Sequence, residues 1–236
     1  MRIVLCFIFF FTGICFGSFS LCYSQRYVNR ETMMTRSKCD KCHHVLSWCD
    51  LLPLVSYLVN KGKCKYCGER ITVLCFVYEL LSGIMLLGLL AIKGVSWDAL
   101  MLFSVFELSL VISYTDLMIF EIPDSCIVMF IIIRMIKCEN CLDTLMNGSL
   151  MASYIYALSL LMNFIYKRQM IGMGDIKLLF VSGIYLGFYK SLLCLLAACA
   201  FALIYVLISK RRMIPFGPFI CFSMFTFLLL SKMTLL

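Results

Sequence analysis

Eight long apolar runs alternate with short polar breaks along the chain, at roughly 3–22, 71–92, 98–115, 122–137, 149–166, 175–189, 191–209 and 217–235. A helix needs about 20 mostly apolar residues to cross a bilayer. The pattern therefore predicts an all-α polytopic membrane protein of about eight transmembrane helices. The first run opens with Arg2, as a secretory signal would, but it has no clear small-x-small cleavage site and its apolar stretch is too long, so it is expected as a retained helix. The break between the sixth and seventh runs rests on the short stretch "YKS", residues 189–191. One sizeable polar region interrupts the series, at 23–70. The expected organisation is a first transmembrane helix (1–22), a small cytosolic loop domain (23–70) and a multi-helix membrane domain (71–236).

Composition agrees: 63% of the 236 residues are hydrophobic and 14% are charged, outside the usual range of soluble domains. The basic residues set the orientation. With the N-terminus outside, the inward segments 23–70, 116–121, 167–178 and 210–216 hold 15 of the 21 Lys and Arg residues, Lys167, Arg168, Lys177, Lys210, Arg211 and Arg212 among them. Arg2, Lys93, Arg134, Lys137, Lys190 and Lys232 fall at or near the outer side. Basic residues gather on the cytoplasmic side of membrane proteins, so both chain ends are expected outside. The net charge of +8 then reads as topology and contact with the lipid bilayer. No basic stripe with interleaved aromatics is present, so no nucleic-acid partner is expected.

The polar region carries two CxxC pairs, Cys39 with Cys42 and Cys64 with Cys67. Each pair can hold one metal ion from a tight knuckle, and two knuckles complete a tetrahedral thiolate site closed to solvent, the arrangement of structural zinc. The bland reading is four unrelated cysteines in a chain that has 15. A reducing cytosol would not preserve disulfides, which favours metal. His43 and His44 are expected to be solvated beside four suitable thiolates.

Carboxylates within greasy surroundings are the next signal. In "IGMGDIKLLF" (171–180), Asp175 stands between two apolar runs, and an ionisable group at such depth marks function by default. Asp116, in "SYTDLMIFEIPD", is placed at similar depth on the same side. Two carboxylates in a partly desolvated site do not both ionise easily, so one can serve as acid and the other as base to drive water onto a peptide carbonyl. Gly172 and Gly174 supply permissive backbone beside Asp175, where an extended substrate would approach. Taken singly, an aspartate at a helix edge is more often a cap or a solvated residue, and the pairing at one depth shifts the balance. Glu79 and Glu107 should face the interior, and Asp124 after Pro123 suits the first turn of a helix. A rival reading rests on "CENC" at 138–141, which on the outer side would suit a thiol oxidoreductase. A non-enzymatic assembly factor with a zinc knob is another.

These stretches together resemble a known family. "GMGD" matches the GxGD signature of intramembrane aspartyl proteases, and "TDLMIFEIPD" is similar to the partner motif of the type IV prepilin peptidases. "RSKCDKCHHVLSWCDLLPLVSYLVNKGKCKYCGERI" is similar to that family's tetracysteine domain, and "GSF" (17–19), "YELLSG" (78–83) and "PFGPF" (215–219) also fit. The resemblance implies an aspartic endopeptidase of the bacterial plasma membrane with its active site facing the cytosol. It implies catalytic roles for Asp116 and Asp175, zinc-ligand roles for Cys39, Cys42, Cys64 and Cys67, and prepilins or pseudopilins as substrates losing a short basic leader. Members with this cysteine domain often also methylate the new N-terminus with S-adenosylmethionine.

Overall fold

A computed structural model describes residues 2–136, 138–167, 171–209 and 214–233. Lys137, Arg168, Lys210, Arg211 and Arg212, which entered the charge reading, lie outside the described residues. Among those residues the chain forms nine helices: α1 (Arg2–Val28), α2 (Val55–Val59), α3 (Val73–Lys93), α4 (Trp97–Ile119), α5 (Asp124–Met135), α6 (Cys141–Tyr166), α7 (Met173–Leu186), α8 (Phe188–Ser209) and α9 (Gly217–Met233). All regular structure there is helical, apart from two isolated β-bridges in the polar loop.

A helix stands at each of the eight apolar runs, and α2 lies within the loop. Five of them, α1, α3, α4, α6 and α8, are long and apolar enough to cross a bilayer, and the chain is a multi-pass membrane protein. The other three are shorter than the spans expected: α5 has 12 residues, α7 has 14 and α9 has 17. Turn chemistry sets the start of α5 and the end of α7, whereas the expected end of α9, at 235, lies outside the described residues. Pro123 precedes α5 in extended backbone, and Gly172 does the same for α7. The expected break at "YKS" falls two residues earlier, at Gly187, whose φ of 79° ends α7 in a region that favours glycine. Tyr189, Lys190 and Ser191 then belong to the first turn of α8.

The chain divides into two compact units, Met1–Phe103 and Ser104–Leu236. In the first, α1 and α3 meet along a seam of small residues. A Cβ on Gly17 would lie 2.5 Å from Ser82 Oγ and 2.6 Å from the Tyr78 carbonyl oxygen, and one on Gly13 would lie 2.8 Å from the Ser82 carbonyl oxygen. Backbones come this close only where side chains vanish, a common device between membrane helices, where packing replaces the hydrophobic drive. The second unit repeats it between α6 and α7: a Cβ on Gly183 would be 2.8 Å from the Asn147 carbonyl oxygen and 2.9 Å from Gly148 Cα. Tyr185 of α7 donates its hydroxyl to the Phe130 carbonyl of α5 at 2.8 Å, above the fully buried Phe130 ring. Leu203, Ile204, Leu207 and Ile208 leave an apolar face of α8 exposed, as suits contact with lipid.

Candidate active site and metal centre

In the polar loop the two CxxC pairs fold as near copies. Cys39 N–H donates to the His44 carbonyl (3.0 Å) and His43 N–H to the Cys39 carbonyl (2.9 Å); Cys64 N–H donates to the Glu69 carbonyl (2.7 Å) and Gly68 N–H to the Cys64 carbonyl (2.9 Å). A bridge closes each turn, Lys38 with Val45 and Lys63 with Arg70. The residue four after each leading cysteine is left-handed, His43 at φ 54° and Gly68 at φ 72°. Turns of this kind leave N–H groups pointing at sulfur. Those of Cys42 and Lys41 lower the Cys39 thiol from 9.0 to about 7.

The knuckles face each other. Their four sulfur atoms lie within 4.8 Å of one another, and Cys39 Sγ is 3.8 Å from Cys67 Sγ. Such a cluster fits one tetrahedral metal ion, with soft donors that suit zinc. Two contacts join the knuckles away from the sulfurs: Lys41 pairs with Glu69, and the His44 ring stacks on Tyr66 with centroids 3.7 Å apart. His43 and His44 are not members of the cluster.

Glu79 ties this loop to α3. Its carboxylate accepts the Leu54 N–H at 2.7 Å and the Ser18 hydroxyl, and it is buried as expected of an acid inside a helix bundle. Leu54 stands at φ 58°, an uncommon conformation for a branched residue, at the start of α2. A cavity of about 680 Å3 opens between α1, the knuckles and the start of α3. Carboxylates and cations both line it, Glu79, Glu69 and Asp50 beside Arg26, Arg36 and Lys63.

In the second unit Asp116 sits in the last turns of α4, which runs past the expected end to Ile119, and it is only 6% exposed. Its Oδ2 accepts the Gly217 N–H at 2.8 Å. Gly217 opens α9, so the carboxylate lies against the positive end of a helix. A side chain there would collide, since a Cβ on Gly217 would lie 2.8 Å from that same oxygen. Asp175 is half-buried in the first turn of α7, accepts the Gly172 N–H, and interacts electrostatically with Asp116. The fold thus brings together two carboxylates 59 positions apart in the chain.

Neither glycine of the motif is needed for backbone freedom. Gly172 has φ −70°, which any residue adopts, and Gly174 lies in the first turn of α7. Their smallness has other uses. A Cβ on Gly174 would crowd Ile122 at 3.3 Å, and one on Gly172 would lie 3.4 Å from Asp175 Oδ2. Lys177 pairs with Asp124 at 2.6 Å, joining the starts of α7 and α5. Asp124 occupies the first turn of α5, as its place after Pro123 suggested. Glu107 is buried in α4.

Two family models cover most of the chain: the Bacterial Peptidase A24 N-terminal domain matches residues 11–93, and the Type IV leader peptidase family matches residues 100–207. A Neisseria gonorrhoeae protein named "Prepilin leader peptidase/N-methyltransferase" is 31% identical over 202 residues, covering 79% of this chain and 68% of its own. The chain belongs to the type IV leader peptidase family. Proteins of the same name from Bacillus subtilis (28% identical, 89% of this chain and 88% of its own) and Vibrio cholerae (28%, 80% and 78%) are also similar. No solved structure matches.

The short family-like segments have physical explanations. "GSF" and "YELLSG" meet on the α1–α3 seam, where Gly17 packs on Tyr78 and Ser82, and Ser18 bonds Glu79. "PFGPF" supplies Gly217, whose partnership with Asp116 the sequence reading missed. Its signal was a glycine and a proline together at the start of an apolar run, a helix opening whose first N–H is exposed to a ligand.

Proposed function

We propose that this protein is a membrane aspartic endopeptidase that removes the short basic leader from prepilins or pseudopilins. Asp116 and Asp175 would share one proton, the acid donating to the scissile carbonyl while the base takes a proton from the attacking water. The observation that carries the reading is the meeting of two carboxylates in one unit, one of them seated on the Gly217 N–H at the start of a helix. Asp116→Asn or Asp175→Asn should each lower leader cleavage by about 10^4-fold, with the double variant no worse, because groups that act as a unit lose non-additively. Substantial cleavage by either folded single variant would sink the reading.

The positive-inside balance supports a dyad at the cytosolic edge of a bacterial plasma membrane, where the substrate's junction between leader and helix would lie. Membrane depth would then choose the bond. Each inserted residue moves a helical position by about 1.5 Å, so three or four extra apolar residues between the junction and the substrate helix should stop leader removal in a gel-shift assay. Undiminished cleavage across such a series would refute depth as the ruler.

Structural zinc on Cys39, Cys42, Cys64 and Cys67 would hold the loop's shape, since four thiolates leave no open position for substrate. The relatives' names add methyl transfer, and S-adenosylmethionine would supply the methyl group. The mixed charge of the cavity in the first unit, lined by Glu79 and Glu69 beside Arg26 and Arg36, would suit that ligand's cationic groups and carboxylate. Equilibrium dialysis with the labelled compound reads such binding directly, and Glu79→Gln should weaken it.

A further inference from the structure

The turn between α5 and α6 holds "CENC", which leader cleavage leaves unused. Cys141 opens α6, and its thiol donates to the Cys138 carbonyl at 3.8 Å. Cys138 is partly exposed, and its sulfur lies 3.1 Å from the Thr144 hydroxyl, one turn into the same helix. The two thiols also interact with each other. Arg134, in the last turn of α5, acts electrostatically on Cys138. Cys138 is therefore the more activated of the two: the Thr144 hydroxyl, the Cys141 thiol, the Arg134 guanidinium and the Asn140 N–H favour its thiolate against partial burial, and together they hold it below the ordinary thiol value. Cys141 sits beside it as the resolving partner.

Its place in the fold matters as well. α5 starts at Asp124, beside Lys177 and the dyad end of α7, and runs away from them; Arg134, near its other end, donates to the Ile184 carbonyl at the far end of α7 at 3.4 Å. The cysteine turn thus stands at the end of this unit opposite the dyad. With the dyad at the cytosolic edge, that end faces outside, where disulfides persist.

We propose that Cys138 and Cys141 form a thiol–disulfide exchange site whose substrate is a protein disulfide on the outer face of the membrane. The Cys138 thiolate attacks one sulfur of that disulfide, forming a mixed disulfide and releasing the other sulfur as a thiolate. The Cys141 thiolate, its proton lost to water, then attacks Cys138 Sγ. That closes the Cys138–Cys141 disulfide and releases the second substrate thiolate. The substrate gains two electrons, and the pair loses two.

The test uses the full chain in detergent, with oxidised glutathione as the disulfide, and locates each modified cysteine by peptide mass spectrometry after alkylation. Wild type should form the Cys138–Cys141 disulfide without a lasting adduct. Cys141→Ser should accumulate glutathione on Cys138, and Cys138→Ser should acquire it on Cys141 at least about tenfold more slowly, because the attacking thiol's thiolate character sets the rate. Both variants should retain leader cleavage, since neither residue belongs to the dyad. Absence of the disulfide in the wild type would overturn the proposal, as would an adduct forming equally fast on either cysteine. The readout is covalent and does not depend on cleavage, so its failure and failure of the peptidase reading are distinguishable.

Discussion

The four-thiolate cluster and the carboxylate pair are built by opposite routes. Each knuckle is complete within about eight residues: its own N–H groups, its own left-handed residue and its own bridge aim two sulfurs. The dyad has no such local plan. Asp116, Asp175 and Gly217 come from the ends of three helices, and only the packing of α4, α7 and α9 brings them together. A locally encoded site withstands change elsewhere in the chain and fails at its own residues; a packed site fails wherever the packing is disturbed.

The sharpest way to break this comparison is at Gly217, which carries no chemistry of its own. Gly217→Ala places a Cβ 2.8 Å from Asp116 Oδ2, so the carboxylate must move. A displacement of about 1 Å can cost 10^2-fold in rate, and leader cleavage should fall by about that much while metal content stays the same. Cleavage at the wild-type level would mean that the dyad does not depend on α9.

Next in size is the metal itself. Freshly purified, reduced protein should carry about one zinc per chain, and Cys64→Ser should remove most of it. Elemental analysis reads the loss, and limited proteolysis should then cut within 39–70 first. The drop in cleavage should be smaller than for Gly217→Ala, because the ligands and the dyad share no residue. Zinc-free wild type with a protease-resistant loop would count against the site.

The smallest effect belongs to Lys177 and Asp124, whose side chains are 46% and 73% exposed. Exposed ion pairs contribute up to about 1 kcal/mol. Lys177→Met should therefore shift thermal stability by no more than a few degrees and change cleavage by less than about threefold. A loss approaching that of Asp175→Asn would move Lys177 into the chemistry.

The same contrast decides what the sequence could reveal. The clustering of Cys39, Cys42, Cys64 and Cys67 was legible because knuckles built locally must write their spacing into the chain. The membrane helices were legible too, since burial in lipid demands long apolar runs. Asp116 and Asp175 stood out through their cost among apolar neighbours, but no spacing rule joins residues 59 positions apart. Gly217 showed only as a glycine and a proline opening an apolar run; its tie to Asp116 was hidden because its contribution is a backbone N–H, which every residue but proline carries. The short lengths of α5 and α7 were hidden for a similar reason. Hydropathy continues through Gly187 and into "YKS", whereas the helix ends on a φ of 79° that hydropathy does not encode. Leu54 offered no clue either, since a leucine at φ 58° is held by a carboxylate 25 positions later.

The twin turns around Cys39 and Cys64 have one more consequence. Since each turn is self-sufficient, the stretch between them acts as a spacer whose continuity matters little to the clamp. Trp48, 83% exposed near its start, marks a place to cut. Two separately expressed polypeptides, one ending there and one beginning there, would each carry half of the thiolate set and one side of the glycine-lined α1–α3 seam. A metal ion on the four thiolates and the seam together would rejoin them, so split-chain complementation should follow, with added zinc expected to turn reassembly on.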